Sequence, residues 1–296
     1  MCHRLARNGP APVSRPARRA ISNRGTPQRR TRCCSAKRGM TLIELLAVSA
    51  VLLMMAGAMT ALAINVQDSG RHTFEQALSL QHGLVVLQRI QRTVSGATAN
   101  AEFPGFLVLA EKVHGQPYPD TLVVWYAPGG ATDPDGLPRM NELVVFCPNP
   151  ENPEELWELT VPDDTRTAPA ADDLNDWEDE VDDMQTSNSA VRVVLTDLLR
   201  VANAAPDQGQ RRWRAAMRFE SDQRPSTAEW SAYLQGTRSW DSLSWAQGIR
   251  GTRTGLRQSR CRYELQLRPG DTADNSRDAA IPLFGSGAVF YELQQP

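Results

Sequence analysis

The chain of 296 residues has room for one large domain or two small ones, and 41% of its residues are hydrophobic, which suits a folded core. Its mean hydropathy of −0.42 excludes a protein with many membrane spans. The net charge of −2 hides an asymmetry, because residues 1–39 hold eleven Lys and Arg and no acidic residue, whereas the remainder carries a net charge of −13. A basic block joined to an acidic body is typical of two compartments or of a cleaved segment, and the acidic body gives no electrostatic basis for binding nucleic acid.

Residues 40–64 form an apolar run of 25 residues with a single charge, at Glu44. As a helix the run spans about 37 Å, enough to cross a hydrocarbon core of about 30 Å. The basic residues come before the run, so the positive-inside rule predicts residue 1 in the cytoplasm and the chain after about residue 65 outside it.

Glu44 is unusual in this position, because a carboxylate deep in an apolar span costs roughly 2.5–3.5 kcal/mol and therefore needs a partner. We expect none from the segment itself. A chain cut before Met40 would provide one, since its new amine would lie about 6 Å from Glu44 along a helix. The amine of a neighbouring subunit could come closer still.

The string Lys37-Arg38-Gly39 followed by MTLIELL resembles the class III signal of type IV prepilins and type II secretion pseudopilins. That family has a basic stretch ending in Gly, a residue that becomes the new N-terminus, and Glu at the fifth mature position; Gly39, Met40 and Glu44 match these places. The resemblance implies that a prepilin peptidase cuts after Gly39 and methylates the Met40 amine. It also implies that Glu44 pairs with the amine of the preceding subunit during assembly. The chain departs from the family in having Met40 instead of the usual Phe, and in its long leader.

Two other interpretations of the apolar run remain open. A secretory signal peptide could end at Ala61-Leu62-Ala63, although its apolar region would be much longer than the usual 7–15 residues. A plain signal anchor would also cross the membrane, but it has no use for Gly39 or Glu44. Either one would make the chain a secreted or membrane-anchored extracytoplasmic binding module.

After residue 64 the chain becomes amphipathic and contains no proline before residue 104, which predicts one helix from about residue 41 to residue 95. Its glycines at positions 57, 70 and 83 are expected to lower the stability of the helix locally. The stretch 84–94, LVVLQRIQRTV, resembles the second helical half of the J-type minor pseudopilin. The stripe expected to face the body consists of Ala77, Leu80, Leu84, Leu87, Ile90 and Val94.

The body after about residue 104 is predicted to be an antiparallel sheet, because short apolar or alternating runs are separated by Pro and Gly. Strands are expected at 121–127, 141–147, 213–219, 263–267 and 288–293, with a turn at 133–136 and a short helix at 190–202. The predicted fold class is therefore α+β and pilin-like: one long N-terminal helix, transmembrane in its first half, packed on an antiparallel sheet. The segments are residues 1–39 as leader, 40–64 as membrane and filament-core helix, 65–97 as its amphipathic continuation, and 98–296 as body.

Three side-chain groups in the body invite a functional interpretation. Cys147 and Cys261 remain if the leader is removed, and they could form one disulfide or stay as buried thiols. Residues 172–183 hold eight carboxylates, so calcium is conceivable as a cofactor. A solvated acidic loop is the simpler interpretation of this segment. Three tryptophans, at positions 230, 240 and 245, could line a partner surface or anchor a long loop to the core. The calcium candidates are Asp172, Asp173, Asp176 and Asp179.

The sequence contains no H-E-x-x-H, C-x-x-C, G-x-S-x-G or phosphate-cradling glycine motif, so we predict a protein that is not an enzyme. The resemblance implies a structural minor pseudopilin of a type II secretion pseudopilus, with a minor type IV pilin as the alternative. It implies as partners the other pseudopilins, a prepilin peptidase and the inner-membrane assembly platform. The expected location is the inner membrane, crossed once with the body in the periplasm, and then the filament.

Overall fold

The computed structural model describes residues 40–113, 116–203, 213–268 and 280–296. The predicted leader, including Gly39, lies outside the described residues. The chain divides into two compact units, with the boundary between Met59 and Thr60.

The first helix, α1 (Leu42–Ser95), has 54 residues, as the absence of proline predicts. In the part of the chain that the structure describes, α1 is the helix long and apolar enough to cross a membrane. Its most apolar 18-residue window has a mean hydropathy of 2.2 and contains no buried residue. Every residue from Met40 to Met59 is exposed, so the first unit offers apolar side chains on all sides of the helix.

Ten strands and two further α-helices follow in the described residues, and all strand pairs are antiparallel. The strand orders are β1-β2-β3-β4-β5 in the large sheet, β10-β9-β8 in a second sheet and β6-β7 in a small one. The chain is thus α+β with a long N-terminal helix packed with antiparallel sheets, as predicted. The strands are β1 (Phe106–Val113), β2 (Gln116–Trp125), β3 (Leu143–Pro148), β4 (Leu156–Thr160), β5 (Val191–Thr196), β6 (Val201–Asn203), β7 (Trp213–Ala215), β8 (Met217–Arg224), β9 (Thr254–Leu267) and β10 (Ile281–Gln294); the helices are α2 (Leu174–Thr186) and α3 (Thr227–Leu234).

The large sheet has a hydrophobic core on each face. On one face, the buried end of α1 packs with residues of β2, β3, β8, β9 and β10. On the other face, Trp177, Val181 and Met184 of α2 pack with β2, β3 and β4. A third, smaller cluster joins Trp240 and Trp245 to the end of β10, with Trp230 packed against it. These tryptophans therefore anchor a long loop to the body, which was one of the two expectations for them.

The face of α1 that packs on the body differs from the predicted stripe. Leu87, Ile90 and Val94 are buried as expected, but Ala77, Leu80 and Leu84 are exposed. The chain instead uses Gly83, where an added Cβ would overlap Leu283 Cδ1 and lie 2.7 Å from Leu267 Cδ1. Small residues let the helix approach the sheet closely, and the apolar pattern alone does not reveal this. The buried positions of α1 are Ser79, Gly83, Val86, Leu87, Ile90, Thr93 and Val94.

Three predicted body elements need correction. The acidic segment 172–183 is not a loop but mostly helix, because Trp177, Val181 and Met184 recur at helical spacing and bury one face. The helix expected at 190–202 is absent from the described residues there, since its β-branched run pairs as β5 with β4. The strand expected at 213–219 breaks at residue 216, with β7 joining β6 and β8 joining β9.

The considered disulfide is not formed, since Cys147 and Cys261 are both free and buried. Cys261 belongs to the core beneath α1, whereas Cys147 belongs to the core beneath α2. The large sheet thus separates the two environments. Burial raises the pKa of each thiol to about 12, which keeps both protonated and unreactive.

Candidate functional site

The candidate site lies where α1 begins. Met40 and Thr41 precede the helix, and Glu44 lies in its first turn. The Thr41 N–H and the Thr41 hydroxyl both donate to Glu44 Oε2, each over 3.0 Å. In return, the Glu44 N–H donates to Thr41 Oγ1 over 3.4 Å. This reciprocal pattern is a capping box, which satisfies backbone N–H groups that the first turn leaves without partners.

The capping box corrects the expectation that the segment offers Glu44 no partner. The spacing Thr-x-x-Glu before an apolar run is the sequence signal of this motif and was available from the sequence. The carboxylate also lies at the positive end of the helix dipole, which favours a negative charge there. In the described residues both hydrogen bonds to the carboxylate end on Oε2, so Oε1 can still accept a hydrogen bond from an amine.

The surroundings of Glu44 are apolar on every side of the helix. Leu42, Ile43, Leu45 and Leu46 are all exposed. A helix that is apolar all round is stable only when lipid or other helices surround it. Any group that meets Glu44 in such surroundings does so away from water, where an unpaired charge is costly.

A second apolar surface lies on α1 within the unit Thr60–Pro296. Phe74, Leu78 and Val85 are exposed and fall on one helical face, because they are spaced by four and seven residues. The face that packs on the sheets, centred on Gly83 and Ile90, points the opposite way. This part of α1 is therefore covered by the body on one side and carries apolar residues on the other.

The calcium candidates do not converge. Asp173 caps α2 by accepting from the Asp176 N–H over 3.3 Å, while Asp172 and Asp179 are exposed. No group of three or more His, Cys, Asp or Glu side chains that could hold a metal ion occurs in the described ranges. Asp172 and Asp173 precede α2, and Asp176 and Asp179 are exposed on it, whereas calcium needs six to eight oxygens around one point.

An ion group around the buried Asp120 joins three strands of the body. Arg214 of β7 forms ion pairs with Glu111 of β1 and with Asp120 of β2, the latter at 3.7 Å. Burial raises the pKa of Asp120 to about 6, with Glu111 adding to the rise and Arg214 opposing it. The group holds the small β6-β7 sheet against the large sheet. Arg214 is far from Glu111 and Asp120 in the chain, so no local sequence pattern predicts these contacts.

Comparisons with protein-family models, with curated proteins and with solved structures return no match for this chain.

Proposed function

We propose that this chain is a minor pseudopilin-type subunit: it is cut after Gly39, N-methylated at Met40, and built through α1 into a short periplasmic filament of the type II secretion kind. The observation that carries the proposal is Glu44, the single charge in residues 40–64, placed five residues after the proposed cut. The length of the body and the resemblance of residues 84–94 favour a minor pseudopilin over a major pilin, and a minor type IV pilin is the alternative.

The geometry at the start of α1 supports a role for Glu44 beyond capping. Thr41 fixes the carboxylate through Oε2, so the side chain is held in one position before any partner arrives. The methylated amine of a neighbouring subunit could then bind at Oε1. Pairing would remove two uncompensated charges from apolar surroundings, which favours transfer of the helix from membrane to filament.

The two halves of α1 suit this pathway. The half that ends near Ile64 is apolar on all sides. A segment that is first surrounded by lipid and then packs among other helices needs such a surface. The other half is fixed to the body through Val86, Leu87 and Ile90, so movement of the helix carries the body with it. The partners in this proposal are the prepilin peptidase, the inner-membrane assembly platform and the other pseudopilins.

Three variants test whether Glu44 acts in assembly or only as a cap. Glu44→Leu removes both the charge and the capping acceptor, Glu44→Gln removes the charge but keeps an amide oxygen for Thr41, and Thr41→Ala removes the capping partner but keeps the charge. We expect all three to insert in the membrane. We expect the two Glu44 variants to be lost from sheared filament fractions, while Thr41→Ala still assembles.

Normal assembly of Glu44→Leu would refute the mechanism. Failure of Thr41→Ala together with normal assembly of Glu44→Gln would also contradict it, because Glu44 would then serve only to begin the helix. Immunoblots of membrane and sheared fractions give both readouts from the same culture.

A further inference from the structure

The inner face of the β9-β10 pair carries three polar side chains next to the tryptophans of the third cluster. Arg257 and Ser259 are two residues apart on β9, so they share a face, and Tyr291 lies directly opposite Arg257 on β10. All three residues are buried, at 5%, 0% and 7% exposure respectively. Trp240 and Trp245 pack with Tyr291 in the same cluster. The polar group therefore lies in the interior of the body, away from water.

Arg257 is a buried cation that has no acidic partner in the described residues. Its Nε donates to the carbonyl of Pro225 over 3.0 Å, and its Nη2 donates to Gln223 Oε1 over 2.7 Å, so both acceptors are neutral. Glu229, in the helix that follows Pro225, is paired with Arg238 instead. A buried charge without a counter-charge is far more costly than a buried neutral group, so the positive charge of Arg257 needs compensation.

The two hydroxyls beside this guanidinium also need partners. Ser259 Oγ and Tyr291 Oη are buried and make no hydrogen bond of normal geometry within the described residues. Burial raises the pKa of Tyr291, whereas Arg257 and Ser259 lower it, so the three polar groups lie close to one another. Buried hydroxyls almost always have a hydrogen-bond partner, and here one guanidinium and two hydroxyls face the same space.

A site made of one guanidinium and two hydroxyls suits an anion. All three groups can donate hydrogen bonds, and none carries a negative charge. A water molecule could accept the same hydrogen bonds, but it would leave the charge of Arg257 uncompensated. Side chains that lie opposite each other, or two residues apart, on one face of a strand pair stand about 5–7 Å apart. That spacing leaves room for an ion of a single atom.

We propose that Arg257, Ser259 and Tyr291 bind one small inorganic anion of the chloride class, and that this ion fixes residues 225–253 to the β9-β10 pair. The anion neutralises Arg257 and accepts hydrogen bonds from both hydroxyls. Arg257 also binds the carbonyl of Pro225, where this segment begins, and Tyr291 packs with the tryptophans inside it. The ion therefore joins two attachments of the segment to the sheet. The inference does not depend on how the chain is anchored or processed.

The opposite face of the same strands provides an internal comparison. Arg260 lies three residues after Arg257 on β9, so its side chain points to the other face, where it is exposed. Ser286 of β10 is exposed on that face as well. Water compensates the charge and the hydroxyl there, so neither residue needs a bound ion. Substitutions at these two positions are therefore matched controls.

The test uses the full chain in detergent micelles and replaces sodium gluconate by sodium chloride at constant ionic strength, which keeps charge screening unchanged. Gluconate is too large for a site of this size. We expect the unfolding temperature to rise saturably with chloride, by about 2–4 °C. Backbone hydrogen exchange, measured by mass spectrometry, should slow in residues 225–253 with the same chloride dependence, and it should not change in β1 or β2.

Five variants assign the chloride response to the three side chains. Ser259→Ala and Tyr291→Phe each remove one hydroxyl and keep the charge, and we expect each to weaken chloride binding about tenfold. Arg257→Gln removes the charge and should abolish the chloride response. Ser286→Ala and Arg260→Gln change the same residue types on the exposed face and should respond to chloride as the unaltered chain does. The two hydroxyl variants decide the question if Arg257→Gln does not fold.

Three results would overturn the proposal. The first is an unfolding temperature that is the same in chloride and in gluconate, which would mean that only water satisfies these groups. The second is a response to chloride that does not saturate, which would indicate an adventitious ion only. The third is an equal response in Ser259→Ala, Tyr291→Phe and the control Ser286→Ala, which would place the bound ion elsewhere in the chain.

Discussion

Replacing Gly83 by alanine places a methyl group between α1 and the second sheet. The new Cβ would overlap Leu283 Cδ1 and lie 2.7 Å from Leu267 Cδ1, closer than any normal carbon contact. Leu283 is 7% exposed and Leu267 is fully buried, so neither side chain can move aside freely. Overpacking of this kind costs about 1–3 kcal/mol, whereas alanine gains about 1 kcal/mol over glycine in a helix. We expect Gly83→Ala to lower the free energy of unfolding by up to about 2 kcal/mol.

Gly70 provides the matched control within the same helix and the same structural unit. No atom lies within 4 Å of a Cβ built there, so Gly70→Ala keeps the propensity gain without the clash. We expect a change between zero and about 1 kcal/mol, in the stabilising direction. The assay is denaturant unfolding of the full chain in micelles, followed by the fluorescence of the buried Trp125 and Trp177.

A double variant tests whether the cost of Gly83→Ala comes from the contact with Leu283. Leu283→Ala removes the atom closest to the new methyl group, so adding Gly83→Ala in that background should cost less than it does alone. Equal effects of Gly83→Ala and Gly70→Ala would refute the reasoning, because α1 would then not approach β9 and β10 at Gly83.

Three further predictions concern the body. Arg89→Ala should lower the free energy of unfolding by about 2 kcal/mol, because it leaves the largely buried carboxylate of Glu158 without its two-point partner, and the double variant with Glu158→Leu should recover most of the loss in the same unfolding assay. Cys147 and Cys261 should both resist thiol reagents at about pH 8 in the folded chain and both react after unfolding, measured with the leader cysteines changed to serine; a missing pair of thiols after unfolding would mean that a disulfide forms. The raised pKa of Asp120 means that the folded state holds its proton more tightly than the unfolded state, so stability should fall by up to about 3 kcal/mol as pH rises from about 4 to about 6. Asp120→Asn should remove most of this change in the free energy of unfolding between about pH 4 and about pH 6. An unchanged pH dependence in that variant would mean that other groups cause it.

The sequence predicted best where one physical signal dominated. The run from Met40 to Ile64 could only be a long apolar helix, and the alternation at Tyr263, Leu265 and Leu267 placed one buried face correctly. The prediction of a loop at residues 172–183 was wrong because it rested on the eight carboxylates there. The helical spacing of Trp177, Val181 and Met184 is the signal that indicates the helix. A helix of this kind is specified by its few apolar residues, and the charged residues lie on its solvent-exposed face.

The errors on α1 have a different cause. Choosing the buried stripe by apolar residues favoured Ala77, Leu80 and Leu84, but close packing in the structure depends on Gly83. The expectation that Glu44 has no partner in its own segment considered only the cost of a charge in apolar surroundings. It missed the local hydrogen-bond donor Thr41. Contacts between distant residues, such as those of Arg214 with Glu111 and Asp120, could not be predicted because no local pattern encodes them.

The mass of the N-terminal peptide shows directly whether the mature chain begins at Met40, as we propose. The full chain is expressed with and without a prepilin peptidase, and the N-terminal peptide is identified by mass spectrometry. We expect a peptide that starts at N-methylated Met40 only when the peptidase is present. An intact leader in both samples, or an N-terminus at Ile64, would contradict it and would favour an anchored or secreted binding module.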